Sequence, residues 1–248
     1  LHLTANGKYA TGVIQKGIRG TDTVITSIPA FNVQSSLSNG YFKYASLPQP
    51  VSNISFNLNA SCPDSNYHHA NLSLENLNVK ALNNFIKGYF KISGAEDIPL
   101  EASLQTVFNL ADVKQFYPLD SMSLAGNLNI NVQSKGKYNP DKKLFPVTNA
   151  DIQLKNGSVK TKYYPNAIEK IEVLANVLST GETMKDVKVN LQPVSFEFEG
   201  QPFSVKADLQ NFEKLRYDVA ANGTLDIGKI YKVFSQKGYD VKGLIEAN

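Results

Sequence analysis

Leu154-Lys155-Asn156-Gly157-Ser158-Val159 decides the reading of this chain, because Leu37-Ser38-Asn39-Gly40-Tyr41-Phe42 stands 117 positions earlier (154 − 37 = 117). The offset runs on without a gap: Pro29 maps to Pro146, Asn32 to Asn149, Lys43 to Lys160, Pro48 to Pro165 and Gly126 to Gly243. Few identities persist, but the polarity pattern does. Leu100, Ala102, Leu104, Thr106 and Phe108 alternate with mostly polar neighbours, and their counterparts are Tyr217, Val219, Ala221, Gly223 and Leu225. Ile86, Phe90 and Ile92 likewise fall opposite Phe203, Ala207 and Leu209. A period of two with one apolar side marks β-strands. The chain therefore reads as copies of one unit. Residues 1–28 end a preceding repeat, 29–145 form the first full repeat and 146–248 the second.

Outward from the Asn-Gly pair, each copy shows a short strand, the pair itself and a second strand: Phe31 to Leu37 then Tyr41 to Ala45, and Asp151 to Lys155 then Ser158 to Tyr163. Asn-Gly between two such runs predicts a hairpin turn, since both residues tolerate positive φ. Gly20 to Pro29 and the turn-rich Gly136 to Lys143 stretch read as the connectors between units. Ala10-Thr11-Gly12-Val13-Ile14 echoes Leu124-Ala125-Gly126-Asn127-Leu128, which makes Leu1 to Ile18 the tail of an earlier unit, cut from something longer. Only Ala111 to Tyr117 and Ile227 to Phe234 change period, giving one helix of about two turns per copy.

Composition closes off several function classes. A net charge of +3 on 248 residues is small and dispersed, which argues against nucleic acid. The lone Cys62 excludes an internal disulfide framework. No window approaches the ~18 apolar residues of a membrane-spanning helix.

The alternation then poses one question: what covers the dry face? Asn127, Asn129, Asn131, Lys206, Asp208 and Gln210 form the wet face. Two helices, each about 10–12 Å across, are too small to roof roughly sixteen strands. Either the sheet packs on itself as a sandwich, or a ligand with apolar chains lies along it. A unit stacked head to tail favours an extended sheet, curled across its width by twist into a trough. The expected fold is thus mainly β: an extended, curved antiparallel sheet of tandem repeats, groove-like, with one short helix per repeat. Candidate lipid-contacting residues are Phe90, Leu104, Phe108, Leu128, Ile130, Phe203, Val205, Leu209 and Val219.

Three features resemble the repeat of the AsmA-like family, relatives of the TamB group and of repeating β-groove lipid-transfer proteins. They are the Leu-x-Asn-Gly stretches (Leu37 to Gly40, Leu154 to Gly157), the short Asp112 to Pro118 and Ile227 to Phe234 helices, and the Leu124 to Leu128 strand with its looser copy Val241 to Ile245. Asp208 to Val219 also reads like that family. The resemblance implies a non-enzymatic periplasmic segment that binds or conducts phospholipid or another acyl-chain lipid in outer-membrane assembly. It further implies an inner-membrane anchor upstream of Leu1, envelope-protein partners, no cofactor and no nucleic acid. The alternative is a self-packed tandem β-sandwich serving adhesion or scaffolding in the envelope.

Conventional chemistry finds little purchase. Cys62, Asp64, His68 and His69 offer ligand types for zinc, but not the spacing of a finger or ribbon. The second copy carries Lys185-Asp186 where the first has His68-His69, so a function shared by both copies lacks its ligands. A polar loop is the plainer reading. Glu96-Asp97 and Glu197/Glu199 resemble acid/base pairs for glycoside cleavage, but Glu197 and Glu199 have no carboxylate counterparts at 80 and 82. No nucleophile elbow, dinucleotide fingerprint or phosphate loop is present.

Overall fold

Alternating strands joined by short turns pair with their chain neighbours, and pair antiparallel. The computed structural model describes residues 1–16, 20–234 and 241–248. Its strands are β1 (His2–Asn6), β2 (Ala10–Lys16), β3 (Gly20–Ser27), β4 (Ala30–Phe42), β5 (Val51–Cys62), β6 (Asn71–Ala81), β7 (Asn84–Ser93) and β8 (Ile98–Asn109). After helix α1 (Val113–Phe116) come β9 (Met122–Tyr138), β10 (Val147–Thr161), β11 (Ile168–Ser179), β12 (Val187–Phe198), β13 (Gln201–Gln210) and β14 (Arg216–Asp226). Helix α2 (Ile227–Phe234) and β15 (Leu244–Ala247) complete the order.

Thirteen strands form one antiparallel sheet, in the order β1-β4-β5 and then consecutively to β15. The sheet is curved and does not close. Its only companion among the described residues is the two-stranded β2–β3 pair. The expected mainly-β class with one short helix per copy is therefore the fold. Element boundaries recur at the spacing seen in the sequence: β5 and β7 start at 51 and 84, β11 and β13 at 168 and 201, and 168 − 51 = 201 − 84 = 117. The sheet is nonetheless continuous where the two copies adjoin, because β9 and β10 pair from Val147↔Lys135 to Thr161↔Met122.

Three local expectations are corrected. Asn39-Gly40 and Asn156-Gly157 are β-bulges, not hairpin turns, and lie inside β4 and β10. Between β4 and β5 the register passes from Leu37↔Phe56 to Gly40↔Ile54, three residues against two. The same step separates Leu154↔Val173 from Gly157↔Ile171. Asn39 and Asn156 both take φ of 52°. A bulge requires positive φ as a tight hairpin does, and the pair serves either. Gly20 to Ser27 is a strand rather than a connector; its partner in the hairpin is Ala10–Lys16, outside the main sheet. The echo of residues 124–128 in 10–14 is therefore not a structural equivalence. β1 takes the place of the distal half of β9: His2 to Asn6 pair with Gln34 to Ala30, as Asn131 to Lys135 pair with Asp151 to Val147.

A globular chain of 27.3 kDa exposes about 11,000 Å², and this one exposes 15635 Å². The excess is that of a sheet with no second layer over it among the described residues. Among the described residues a small buried cluster lies where Val233 and Ile230 of α2 pack on Ile168, Phe198 and Tyr164. The Ile227, Ile230, Val233 and Phe234 spacing places one apolar stripe on that contact. Asp226 caps the helix by accepting from the Lys229 amide at 3.1 Å, and the Thr161 hydroxyl donates to the Val233 carbonyl at 2.5 Å. In the first copy a 3₁₀ turn (Leu110–Asp112) leads into α1, where Phe116 meets Phe108 edge to face, 6.0 Å between ring centres. Both helices thus sit over one margin of the sheet.

Candidate functional site

Partners across a ladder share a face, so the registers fix where each candidate stands. Leu104, Val132, Ala150, Val177, Val189 and Leu209 form one continuous row. A second row runs Thr106, Ile130, Ile152, Ala175, Leu191, Ala207 and Val219. A third runs Phe108, Leu128, Leu154, Val173, Val194 and Val205. Phe90 stands between Leu74 and Ala102, and Phe203 between Phe196 and Gly223, on this same face. All nine candidates are brought to one side of the sheet. The second row makes six inter-strand steps of about 4.8 Å, roughly 29 Å in all, from Thr106 on β8 to Val219 on β14, and is apolar from Ile130 onward, across the junction of the two copies.

Exposure varies along the rows. Ala150, Ala175 and Ala207 are buried between larger neighbours, whereas Val219 is 53% exposed. Leu104, Leu128, Ile130, Val205 and Leu209 are half-buried. Phe203 is buried, with Phe196 at 5.6 Å between ring centres, and offers little surface to a ligand. Phe108 lies under α1 at the helical margin.

Sequence reasoning missed a polar stripe within this face. Ala102 pairs with Ser134, Ser134 with Thr148, Thr148 with Ser179. Ser134 and Thr148 hydroxyls meet at 2.8 Å, Thr148 donates to the Pro146 carbonyl at 2.9 Å, and Ser179 donates to the Gly181 carbonyl at 2.9 Å. Hydroxyls that close on nearby carbonyls cost little when buried. Ser and Thr suit either face of a strand, so their spacing alone carried no signal.

The opposite face is mostly polar, with Val107, Val147, Leu174 and Leu178 exposed among its polar side chains. Asn131, Asp151, Asn176, Asn190 and Asp208 make a cross-strand ladder, with Asn176 donating to Asp151 at 2.8 Å. Glu101 pairs with Lys135 at 3.2 Å and accepts from the Tyr89 hydroxyl at 3.1 Å, which holds its pKa below the ordinary value and raises that of Tyr89. Depressions of about 540 and 760 Å³ lie mainly among these polar-face side chains, including Lys91, Glu101 and Lys135.

The residues weighed for catalysis are tied up locally. Cys62 is buried and donates its thiol to the Asp64 and Asn66 carbonyls at 2.9 and 3.2 Å. His69 Nδ1 lies 2.8 Å from Asp64, and His68 stacks on Tyr67. Among the described residues no three His, Cys, Asp or Glu side chains converge as a metal site. Asp97 meets Lys142 at 2.9 Å, and Glu197 meets Lys170 at 2.5 Å. Glu199 meets Lys229 at 2.6 Å, Tyr164 at 2.7 Å and Asn166 at 2.9 Å, and its pKa falls to about 2. A carboxyl held that low cannot donate a proton near neutral pH. No described helix is long and apolar enough to cross a membrane.

Comparison with protein-family models, with curated proteins and with solved structures gives no match.

Proposed function

We propose that the apolar face binds the acyl chains of phospholipid or a similar lipid, and that the chain is a non-enzymatic lipid-binding or lipid-conducting segment. The observation that supports this reading is the set of three largely apolar rows, two crossing six strands and one seven, with no layer over them, among the described residues, except at the helical margin. Each buried CH₂ contributes about 0.8 kcal/mol, so a row of this length holds an acyl chain without a specific polar contact. The resemblance to AsmA-like repeats supports the same assignment. On that reading the chain belongs to a periplasmic envelope protein, held at the inner membrane through a segment outside these residues. The sandwich alternative calls for a second large sheet, and besides the main sheet the described residues contain only β2–β3.

The test is uptake of a fluorescent fatty acid or phospholipid by the purified chain and by Leu104→Asp/Leu128→Lys. Both side chains lie in the apolar rows, and a charge there must be desolvated before a hydrocarbon tail can pass. Uptake by the parent and its loss in the folded double variant are expected. Unchanged uptake by a folded double variant, or no uptake by the parent, ends the reading.

A further inference from the structure

Two depressions adjoin on the face opposite the apolar rows, and they meet at the Glu101–Lys135 pair. One, of about 540 Å³, reaches from Asn59 and Ser61 on β5 to Lys135 and Lys137 on β9. The other, of about 760 Å³, reaches from Tyr89 on β7 to Leu178 on β11. A third, of about 360 Å³, adjoins Tyr89, Lys91 and Glu101. Together they form a trough across β5 to β11, six inter-strand steps of about 4.8 Å or roughly 29 Å. Described strands flank this region on both sides, so its shape owes nothing to the outermost strands.

The charges along the trough cancel. Glu75, Glu101 and Glu182 are its carboxylates, and Lys91, Lys135 and Lys137 its ammonium groups. Glu75 pairs with Lys91, and Glu101 with Lys135 at 3.2 Å. A surface that balances its own charge offers little field to a phosphate or a nucleic acid. Among the charges stand neutral donors and acceptors, including Ser73, Ser93, Gln133, Asn149 and Thr180. Apolar spots are interleaved with them. Tyr89, Ser103, Gln133, Asn149 and Leu178 are successive partners across five strands, which sets a ring, a hydroxyl, two amides and an aliphatic group in one line. Val147 lies beside Leu178, and the two are 43% and 37% exposed. The Tyr89 ring is held in place: its hydroxyl donates to Glu101 at 3.1 Å, and the Lys91 ammonium lies 5.9 Å from the ring centre.

We propose that this trough binds a neutral oligosaccharide of about six sugars. A pyranose has an apolar ring face and a rim of hydroxyls. The trough answers the first with Tyr89, Val147 and Leu178 and the second with serine hydroxyls and the Gln133 and Asn149 amides. A β-linked chain advances about 5 Å per sugar, close to one inter-strand step, so each ring meets a new strand. An extended peptide fits less well. Every strand from β5 to β11 is paired on both edges, which leaves no backbone edge for a peptide to join. Side chains already fixed by internal contacts lose little freedom when a ligand settles on them. The same surface of the second copy lacks these groups: Lys206, Asp208 and Asp218 stand where the first has Tyr89, Lys91 and Glu101, 117 positions earlier. There Asp208 faces Asp218 across β13 and β14. The site therefore belongs to the first copy and its junction with the second. It lies opposite the apolar rows and does not depend on what those rows bind.

Isothermal titration calorimetry of the whole chain tests this, with cellohexaose and chitohexaose as neutral probes and hyaluronan hexasaccharide as an anionic comparator. At least one neutral probe is expected to bind with Kd below about 1 mM, and the anionic one at least about tenfold more weakly. Tyr89→Ala is expected to weaken binding at least about tenfold, whereas Tyr89→Phe, which keeps the ring, stays within about threefold. Gln133→Ala changes an exposed side chain and is expected to weaken binding several-fold, a second reading if Tyr89→Ala fails to fold. No binding of either neutral probe, tighter binding of the anionic one, or affinity unchanged in the folded variants at Tyr89 and Gln133 would overturn the proposal.

Discussion

Gly126 and Gly157 meet across the β9–β10 ladder so closely that a methyl group on Gly126 would sit 2.7 Å from the Gly157 Cα. The contact lies beside the bulge at Asn156, where the pairing steps from Lys155↔Asn127 to Ser158↔Ala125. Gly126 also takes a φ of +119°. Gly126→Ala therefore meets both a backbone clash and a disfavoured conformation, with an expected cost of about 3 kcal/mol. Gly200, at a φ of +77°, isolates the conformational part, because a methyl group there would meet no atom within 4 Å. Gly200→Ala is expected to cost about 1 kcal/mol. Urea unfolding of the two variants measures the difference, and equal losses would show that the close approach of β9 and β10 is not tight.

Asn84 ties the α1 margin to the sheet. Its side chain, 2% exposed, donates to the Ala81 carbonyl and the Asp112 carboxylate, both at 2.9 Å, and accepts from the Asn109 amide at 2.5 Å. Asn109 in turn caps the 3₁₀ turn by accepting from the Ala111 amide at 3.0 Å. Asn84→Ala leaves the Asn109 amide without its acceptor, and a cost of about 2–3 kcal/mol is expected. The measurement is chemical denaturation of the variant against the parent. A loss below about 0.5 kcal/mol would mean that water replaces the side chain freely.

Glu199 gives the chain a signature in acid. Hydrogen bonds from Lys229, Tyr164 and Asn166 lower its pKa from 4.5 to about 2. A carboxyl more acidic in the folded chain than in the unfolded one stabilises the fold above the unfolded value. That contribution is lost as pH falls through the window from about 4.5 to about 2. Melting temperature is therefore expected to fall across that window more steeply in the parent than in Glu199→Gln, with the variant less stable at pH 7. Parallel profiles would show that solvent screens the Lys229 pair completely.

Period-two alternation makes most of the sheet legible in the sequence, because a half-buried strand writes its two faces into alternate residues. The Phe203 to Leu209 run lies within Gln201–Gln210, and the Ile227 to Phe234 spacing coincides with α2. Asn39-Gly40 and Asn156-Gly157 misled for a physical reason. Positive φ serves a turn and a bulge equally, and the choice belongs to the strands on either side, which are separated in sequence. The place of β1 was illegible for a related reason: it matches β9 by its pairing with β4, not by any likeness of residues. The Ser134-Thr148-Ser179 stripe needed the register of three strands before it existed as a feature at all.

Val205 and Lys206 are neighbours on β13 that point to opposite faces, with Val205 paired to Val194 and Ala221 in the apolar rows and Lys206 exposed. If acyl chains lie on the apolar face, Val205→Asp places an unpaired charge against hydrocarbon, whereas Lys206→Asp changes charge only on the wet side. Binding of a neutral fluorescent acyl probe is expected to weaken at least tenfold in Val205→Asp, about 1.4 kcal/mol, and to stay within twofold in Lys206→Asp, about 0.4 kcal/mol. Circular dichroism of both variants separates loss of fold from loss of binding. Binding unchanged in both variants would place the probe elsewhere, as in the polar-face depressions lined by Lys91, Glu101 and Lys135, none of which adjoins β13. The acyl-chain reading would then lose its face.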